Sequence, residues 1–238
     1  TLQHRSLLKL NPMTNTPALK LSWFDWFLIL GVTATSIITS AFAENFDWLG
    51  LIINITGIIN LVLCAKGNLI NYFFGIIYNA LYVYVAFSTK LYADSAIYLL
   101  YYLPMQFVGW ANWKKNQSKE SGAVITRRIT MKSAALLLAI AAVLVPLFAW
   151  ILSLPAIGDA QPWADSATTV ASIIAMYMMV KAYVEQWYIW LLLDLIQSVK
   201  WLIETIRGRE HAAMMLIMFL FFTANAIYGL IQWNRLEK

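Results

Sequence analysis

Between Glu185 and Trp201 the chain reads E-Q-W-Y-I-W-L-L-L-D-L-I-Q-S-V-K-W. The stretch is apolar enough to cross a bilayer, yet it holds Asp194, Gln197 and Lys200. At 3.6 residues per turn, Trp187, Trp190, Asp194, Gln197 and Trp201 fall on one helix face. Asp194 stands eight residues in from Gln186, about 12 Å at the α-helical rise, close to the middle of a membrane. A carboxylate there costs about 2.5–3.5 kcal/mol on insertion scales, and residues that bear such a cost usually line a pathway or a ligand site. Tryptophans alone at this spacing would indicate helix packing. An acid and an amide set among them indicate a binding face.

The composition fixes the medium in which that face must work. Of 238 residues, 61% are hydrophobic and only 12% charged, about half the charge of a soluble domain. The chain is therefore an integral membrane protein. Cys64 is the only cysteine, and His4 and His211 form no ligand pair, so neither a disulfide nor a metal centre is expected. No phosphate-binding glycine loop and no nucleophile motif occurs. These absences argue against an enzyme and against any cofactor. The expected partners are a small-molecule substrate and the lipid bilayer, with no nucleic acid, and a homo-oligomer is left open.

Eight apolar spans are predicted, at 26–43, 48–65, 69–88, 92–112, 131–153, 164–181, 186–206 and 211–234. The first ends A-F-A before Glu44, which resembles a signal-peptidase site, but the preceding polar segment is long for a signal peptide. A retained first helix is the preferred reading. With the N-terminus inside, thirteen Lys and Arg fall on cytoplasmic segments and three on outside loops. The positive-inside bias then puts both ends in the cytoplasm.

The spans also repeat. Trp48 and Trp163, Lys66 and Lys181, and Asn79 and Asp194 are each 115 residues apart; Gly109 and Gly229, and Trp113 and Trp233, are 120 apart. The expected fold class is an all-α integral membrane protein with two parallel three-helix repeats joined by a connecting helix (3+1+3), plus one extra N-terminal helix. Its parts are 1–47 (tail and first helix), 48–113 (first repeat), 114–162 (basic loop and connecting helix) and 163–238 (second repeat and tail).

In such an architecture the substrate site lies between the halves near mid-membrane. The stripe facing 186–197 is Asn71, Gly75, Tyr78, Asn79 and Tyr82. The third helices add Tyr98, Tyr102, Gln106 and Trp110 on one side, and Phe222, Asn225 and Gly229 on the other. Pro104 removes a backbone hydrogen bond within its helix and is expected to bend it near Leu100.

Four segments, L-I-N-Y-F-F-G at 69–75, K-L-Y-A-D at 90–94, G-W-A-N-W at 109–113 and W-Y-I-W-L-L-L-D at 187–194, together resemble the PnuC family over most of residues 48–233. The resemblance implies a bacterial inner-membrane vitamin transporter with a fold similar to full-length SWEET sugar transporters. The implied substrate is nicotinamide riboside, taken up by facilitated diffusion and trapped by phosphorylation inside the cell. The family motif admits Asn or Asp at position 194. The residues suit that substrate. Its pyridinium cation fits an aromatic cage of Trp110, Trp187, Trp190 and Tyr98. Its ribose and carboxamide need the donors and acceptors of Asn79, Gln106, Asp194, Gln197 and Asn225. Thiamine, another aromatic cation, is the nearest competing substrate. A retinal protein using Lys200 is disfavoured, because Lys200 lies toward the end of its helix and the repeat would be left unexplained.

The basic-residue bias makes a direct prediction. Reporter tags at both termini and in the 114–132 loop should all read as cytoplasmic, and an external C-terminus would overturn the topology.

Overall fold

A computed structural model describes residues 20–41, 46–155, 157, 161–208 and 212–236. Among them are eight long helices: α1 (Trp23–Ala41), α2 (Trp48–Ala65), α3 (Asn71–Ser88), α4 (92–115), α5 (Met131–Leu152), α6 (Pro162–Val180), α7 (Gln186–Ile206) and α8 (Ala212–Leu236). Every predicted span corresponds to one of these helices. The A-F-A segment before Glu44 falls largely outside the described residues, as does the tail before Lys20.

Five helices, α1, α2, α5, α6 and α8, are long and apolar enough to cross a membrane on length and composition alone. The other three, α3, α4 and α7, carry most of the polar candidate residues, which lower their mean hydropathy. Lipid solvation is also legible on the outer surface. On α5, Leu136, Leu138, Val143, Leu147 and Trp150 are exposed, an apolar face that water would not tolerate on this scale.

Helix α4 is not uniform. It runs as α-helix over Tyr92–Ile97, as a π-helical turn over Tyr98–Tyr102, and as α-helix again over Leu103–Lys115. Pro104 has no N–H, and its ring would crowd the carbonyl of Leu100 in a regular helix. The wide turn relieves that clash, and the Leu103 N–H reaches back to the Tyr98 carbonyl. The expected irregularity near Leu100 therefore takes the form of a π-bulge.

Two helix groups make up the body. Helices α2, α3 and α4 pack consecutively, as do α6, α7 and α8, while α2 touches α8 and α4 touches α6 across the groups. Helix α1 packs on α2 and α8, and α5 packs on α6. The cross-group contacts are secured by two indole bonds: Trp113 Nε1 donates to the Met179 carbonyl at 3.0 Å, and Trp233 Nε1 donates to the Cys64 carbonyl at 2.9 Å. The exits of α2 and α6 match as well. Asn68 N–H bonds to Leu63 O and Tyr183 N–H to Met178 O, with Gly67 at φ 63° and Ala182 at φ 58° supplying the left-handed turn. Glycine adopts that conformation freely; Ala182 carries a Cβ and needs other contacts to hold it.

Helix α1 is tied down by charge. Asp25 is fully buried, and its Oδ2 meets Lys66 Nζ at 2.8 Å. Lys66 caps α2 outside the helix proper. Burial works to lower its pKa, but the hydrogen bond and charge of Asp25, helped by Tyr228, outweigh it and raise the value. That stabilisation is present below the ordinary lysine pKa and would be lost only as pH rises through the raised one, so it is constant near neutrality. Removing one partner strands the other's charge. Lys66→Met should therefore lower stability by about 3 kcal/mol, and Asp25→Asn combined with Lys66→Met should recover part of that loss. Thermal unfolding of the purified protein in detergent measures both.

Candidate functional site

Helix α7 turns its predicted stripe inward. Trp187 is buried, and Trp190, Asp194, Gln197 and Trp201 are half-buried, whereas Tyr188, Leu192, Leu195, Ile196 and Val199 are exposed. The same holds for the other lining helices. Asn71, Gly75 and Asn79 of α3 are buried with Tyr78 and Tyr82 half-buried; Gln106 of α4 and Asn225 and Gly229 of α8 are buried. The spacing of polar residues at three and four had already separated these faces from lipid.

Individual side chains are held in different ways. Asn79 donates to the Gly75 carbonyl at 2.6 Å, one turn back on its own helix. Trp190 Nε1 donates to Gln186 Oε1 at 3.1 Å. Tyr102 donates to Ser172 Oγ on α6 at 2.7 Å and lies 4.8 Å, centroid to centroid, from Tyr98. Tyr98 in turn sits 4.1 Å from Tyr82. Gly75 lets Gln106 approach: a Cβ there would collide with the Gln106 amide and crowd Asn60 Nδ2. Asn60 itself donates to the Asn71 carbonyl at 2.7 Å.

Several polar atoms in this region have no partner. Gln106 Oε1 and Asn225 Oδ1 are buried acceptors without a donor, and the Trp187 indole N–H is a buried donor without an acceptor. An unpaired buried group costs about 1–3 kcal/mol. Three such groups on three lining helices form a set that a polar ligand would satisfy. Among the described residues the Asp194 carboxylate likewise has no hydrogen-bond or ion-pair partner, and Ser198 uses only its backbone carbonyl. Lys200 is exposed and makes no ion pair with Asp194, which leaves the carboxylate available.

The expected cage is only partly assembled. Trp187, Tyr102 and Trp110 belong to one apolar cluster, and Tyr98 joins it through Tyr102. Trp187, however, lies edge-on to Trp233 at 5.6 Å, with its six-membered ring against Gly229, so its faces are largely taken up by protein. Asn79 is similarly occupied by its own helix. Tyr72 went unnoticed in the sequence. It is fully buried, 4.9 Å from Trp113, with its hydroxyl unpaired and its ring against Gly109. The 115-residue offset that relates Tyr72 to Trp187 was the available signal. Among the described residues no three potential metal ligands come together.

A family model described as nicotinamide mononucleotide transporter matches residues 47–235. A Neisseria mucosa protein named nicotinamide riboside transporter PnuC is 34% identical over 219 residues, 90% of this chain and 81% of the relative. A protein of the same name from Haemophilus influenzae is 32% identical over 219 residues, 91% of this chain and 89% of the relative. The crystal structure of the vitamin B3 transporter PnuC aligns with a TM-score of 0.73 at 30% identity, covering 92% of this chain and 93% of that one. Motifs, membrane helices, sequence and fold agree, and the chain belongs to the nicotinamide mononucleotide transporter family, a family of membrane transporters rather than enzymes.

Proposed function

We propose that this protein carries nicotinamide riboside across the bacterial inner membrane by facilitated diffusion, binding it at mid-membrane between two helix units. The observation that carries this reading is that buried groups on α4, α7 and α8, Gln106 Oε1, Trp187 Nε1 and Asn225 Oδ1, are unpaired, as is the carboxylate of Asp194 on the inward face of α7. A ribose and a carboxamide offer the donors and acceptors these atoms lack. Trp110 and Tyr102 pack on one cluster and Tyr98 joins it through Tyr102; with Trp190 they are the proposed aromatic lining for a pyridinium cation, which gains about 1–2 kcal/mol on an aromatic face when desolvated. Asn79 and Gln197 complete the proposed binding set.

The family description speaks of the mononucleotide and the curated relatives of the riboside. Charge decides between them here. A phosphate needs arginine or lysine, and no basic residue stands on the protected faces of α3, α4, α7 or α8. The nucleoside is the better fit.

The units of the proposal are 48–113 and 163–238, parallel repeats of three helices joined by the connecting helix of segment 114–162, with 1–47 as an additional element. The matched pairs support this arrangement: Trp113 to Met179 and Trp233 to Cys64, the turns at Gly67 and Ala182, and Tyr72 on Gly109 beside Trp187 on Gly229. The positive-inside bias supports a cytoplasmic location for both termini and for the end of the bundle that carries Lys66, Lys181 and Arg235.

The proposal of uncoupled transport rests on Asp194, the one acid at mid-depth among the described residues, which has no second carboxylate or histidine beside it there. Sealed vesicles that contain only this protein should take up nicotinamide riboside until the concentrations are equal and then stop. Accumulation that an uncoupler abolishes would overturn facilitated diffusion.

Asp194 is expected to act as a hydrogen-bond partner rather than a counter-ion. Asp194→Asn should keep affinity within about 1 kcal/mol, whereas Asp194→Leu should lose about 1–3 kcal/mol by leaving a ligand group unpaired. Calorimetric titration of both variants decides it, and equal losses would assign the role to the charge.

A further inference from the structure

After α4 the chain folds back on itself and then crosses the end of the helix bundle as a short strap, residues 123–129. The strap bonds to both helix groups at corresponding places. Val124 N–H donates to the Gly67 carbonyl at 2.9 Å, and Arg127 N–H donates to the Ala182 carbonyl at 3.0 Å. Gly67 and Ala182 are the two left-handed residues that end α2 and α6, 115 residues apart. The strap thus spans the seam between the groups. Further bonds hold it: Val184 N–H to Arg127 O at 3.0 Å, Ile125 N–H to Asn116 O at 2.9 Å, Arg127 Nε to the Lys181 carbonyl at 2.7 Å, Ile129 N–H to Glu185 Oε2 at 3.0 Å, Thr126 Oγ1 to the Trp233 carbonyl at 3.0 Å, and the Arg128 guanidinium to Asn234 Oδ1 and Glu185.

Beneath the strap lies an aromatic layer. Tyr72, Trp113, Trp233 and Trp187 come one from each of α3, α4, α8 and α7, with successive ring centroids 4.9, 5.6 and 5.6 Å apart. Each is no more than 2% exposed. Val124 and Cys64 pack in the same cluster. Nothing the size of a nucleoside can pass this layer while it is closed. Yet Tyr72 Oη is left unpaired within it, which favours a second arrangement in which it finds a partner.

We propose that the strap and the four rings beneath it form the inner gate of the transporter, and that the strap must lift for substrate to leave on the cytoplasmic side. The inference rests on the orientation and transport reading given above. Its opening can nevertheless be followed without transport. Strap tethers are individually modest, and Ile125, Arg127 and Arg128 are exposed, so the strap can open locally without unfolding of the bundle. Cys64, the sole cysteine, lies sealed at 2% exposure under the strap and reports on the gate.

The experiment is the rate at which a water-soluble maleimide labels Cys64 in the purified full-length chain, with a Cys64→Ser control. The parent at rest should label slowly, and faster with nicotinamide riboside present. Removing two tethers in Thr126→Val/Glu185→Ala should raise resting labelling by at least about fivefold, the population shift expected from one lost hydrogen bond. Ligand affinity no weaker than the parent's, measured by calorimetry, shows that the variant remains folded, since a ligand that favours the open gate binds at least as well when opening is easier. Equal labelling in the parent, the ligand-bound parent and the variant overturns the gate. If the variant does not fold, the two parent measurements decide alone, and constant labelling despite measurable binding refutes the proposal. Absent binding with accelerated variant labelling instead refutes the substrate and keeps the gate.

Discussion

Trp113 and Trp233 each place an indole N–H on a carbonyl near the end of a helix in the opposite group. Those carbonyls, at Met179 and Cys64, lie in the last turns of α6 and α2, where each also accepts the N–H of the left-handed residue that follows its helix, Ala182 or Gly67. The indole is thus a second donor on an oxygen with two lone pairs, supplied by the opposite group. The two bonds therefore do what hydrophobic burial cannot do inside a membrane, where lipid competes equally for apolar side chains. They fix which helix of one group touches which helix of the other. The placement of the strap, the aromatic layer and the lining faces follows from that choice.

Close packing around these bonds leaves little freedom. Gly109 and Gly229 are positions where a Cβ would run into Tyr72 and Trp187, so helix backbone and ring meet at van der Waals distance. Small residues at such contacts are the general device for bringing membrane helices together. Here the device occurs twice, at positions 120 residues apart, on residues that also carry unpaired polar atoms. Hydroxyls elsewhere on the helices commonly return a bond to a carbonyl one turn back, as Thr35, Ser36 and Thr56 do.

Helices α1 and α5 occupy comparable places, each packed on the first helix of the group that follows it. They differ in how firmly they are held. Helix α1 also packs on α8 and is joined to the end of α2 by the buried Asp25–Lys66 pair. Lys181, which corresponds to Lys66, instead lies 5.9 Å over the Tyr177 ring. The α2–α8 side of the bundle is thus braced by a buried ion pair at Lys66, whereas Lys181 at the corresponding place rests on an aromatic ring. Any movement between the groups begins from that unequal footing.

The sequence by itself determined the eight helices, the membrane as solvent, and the inward faces of α3, α4, α7 and α8. Those properties depend on local periodicity and composition, which a single chain displays in order. The disturbance around Leu100 was equally legible, because Pro104 acts on its own turn. Tertiary structure alone decided what each inward residue touches. Asn79 spends its amide on Gly75, and Trp187 is packed against Gly229 and Trp233, while Gln106 and Asn225 keep their oxygens unpaired. What Tyr72 packs against, the strap over Gly67 and Ala182, and the partner of Lys66 were decided there too. Each depends on contacts between segments far apart in the chain, and residue spacing along one helix carries no record of the helix that will face it.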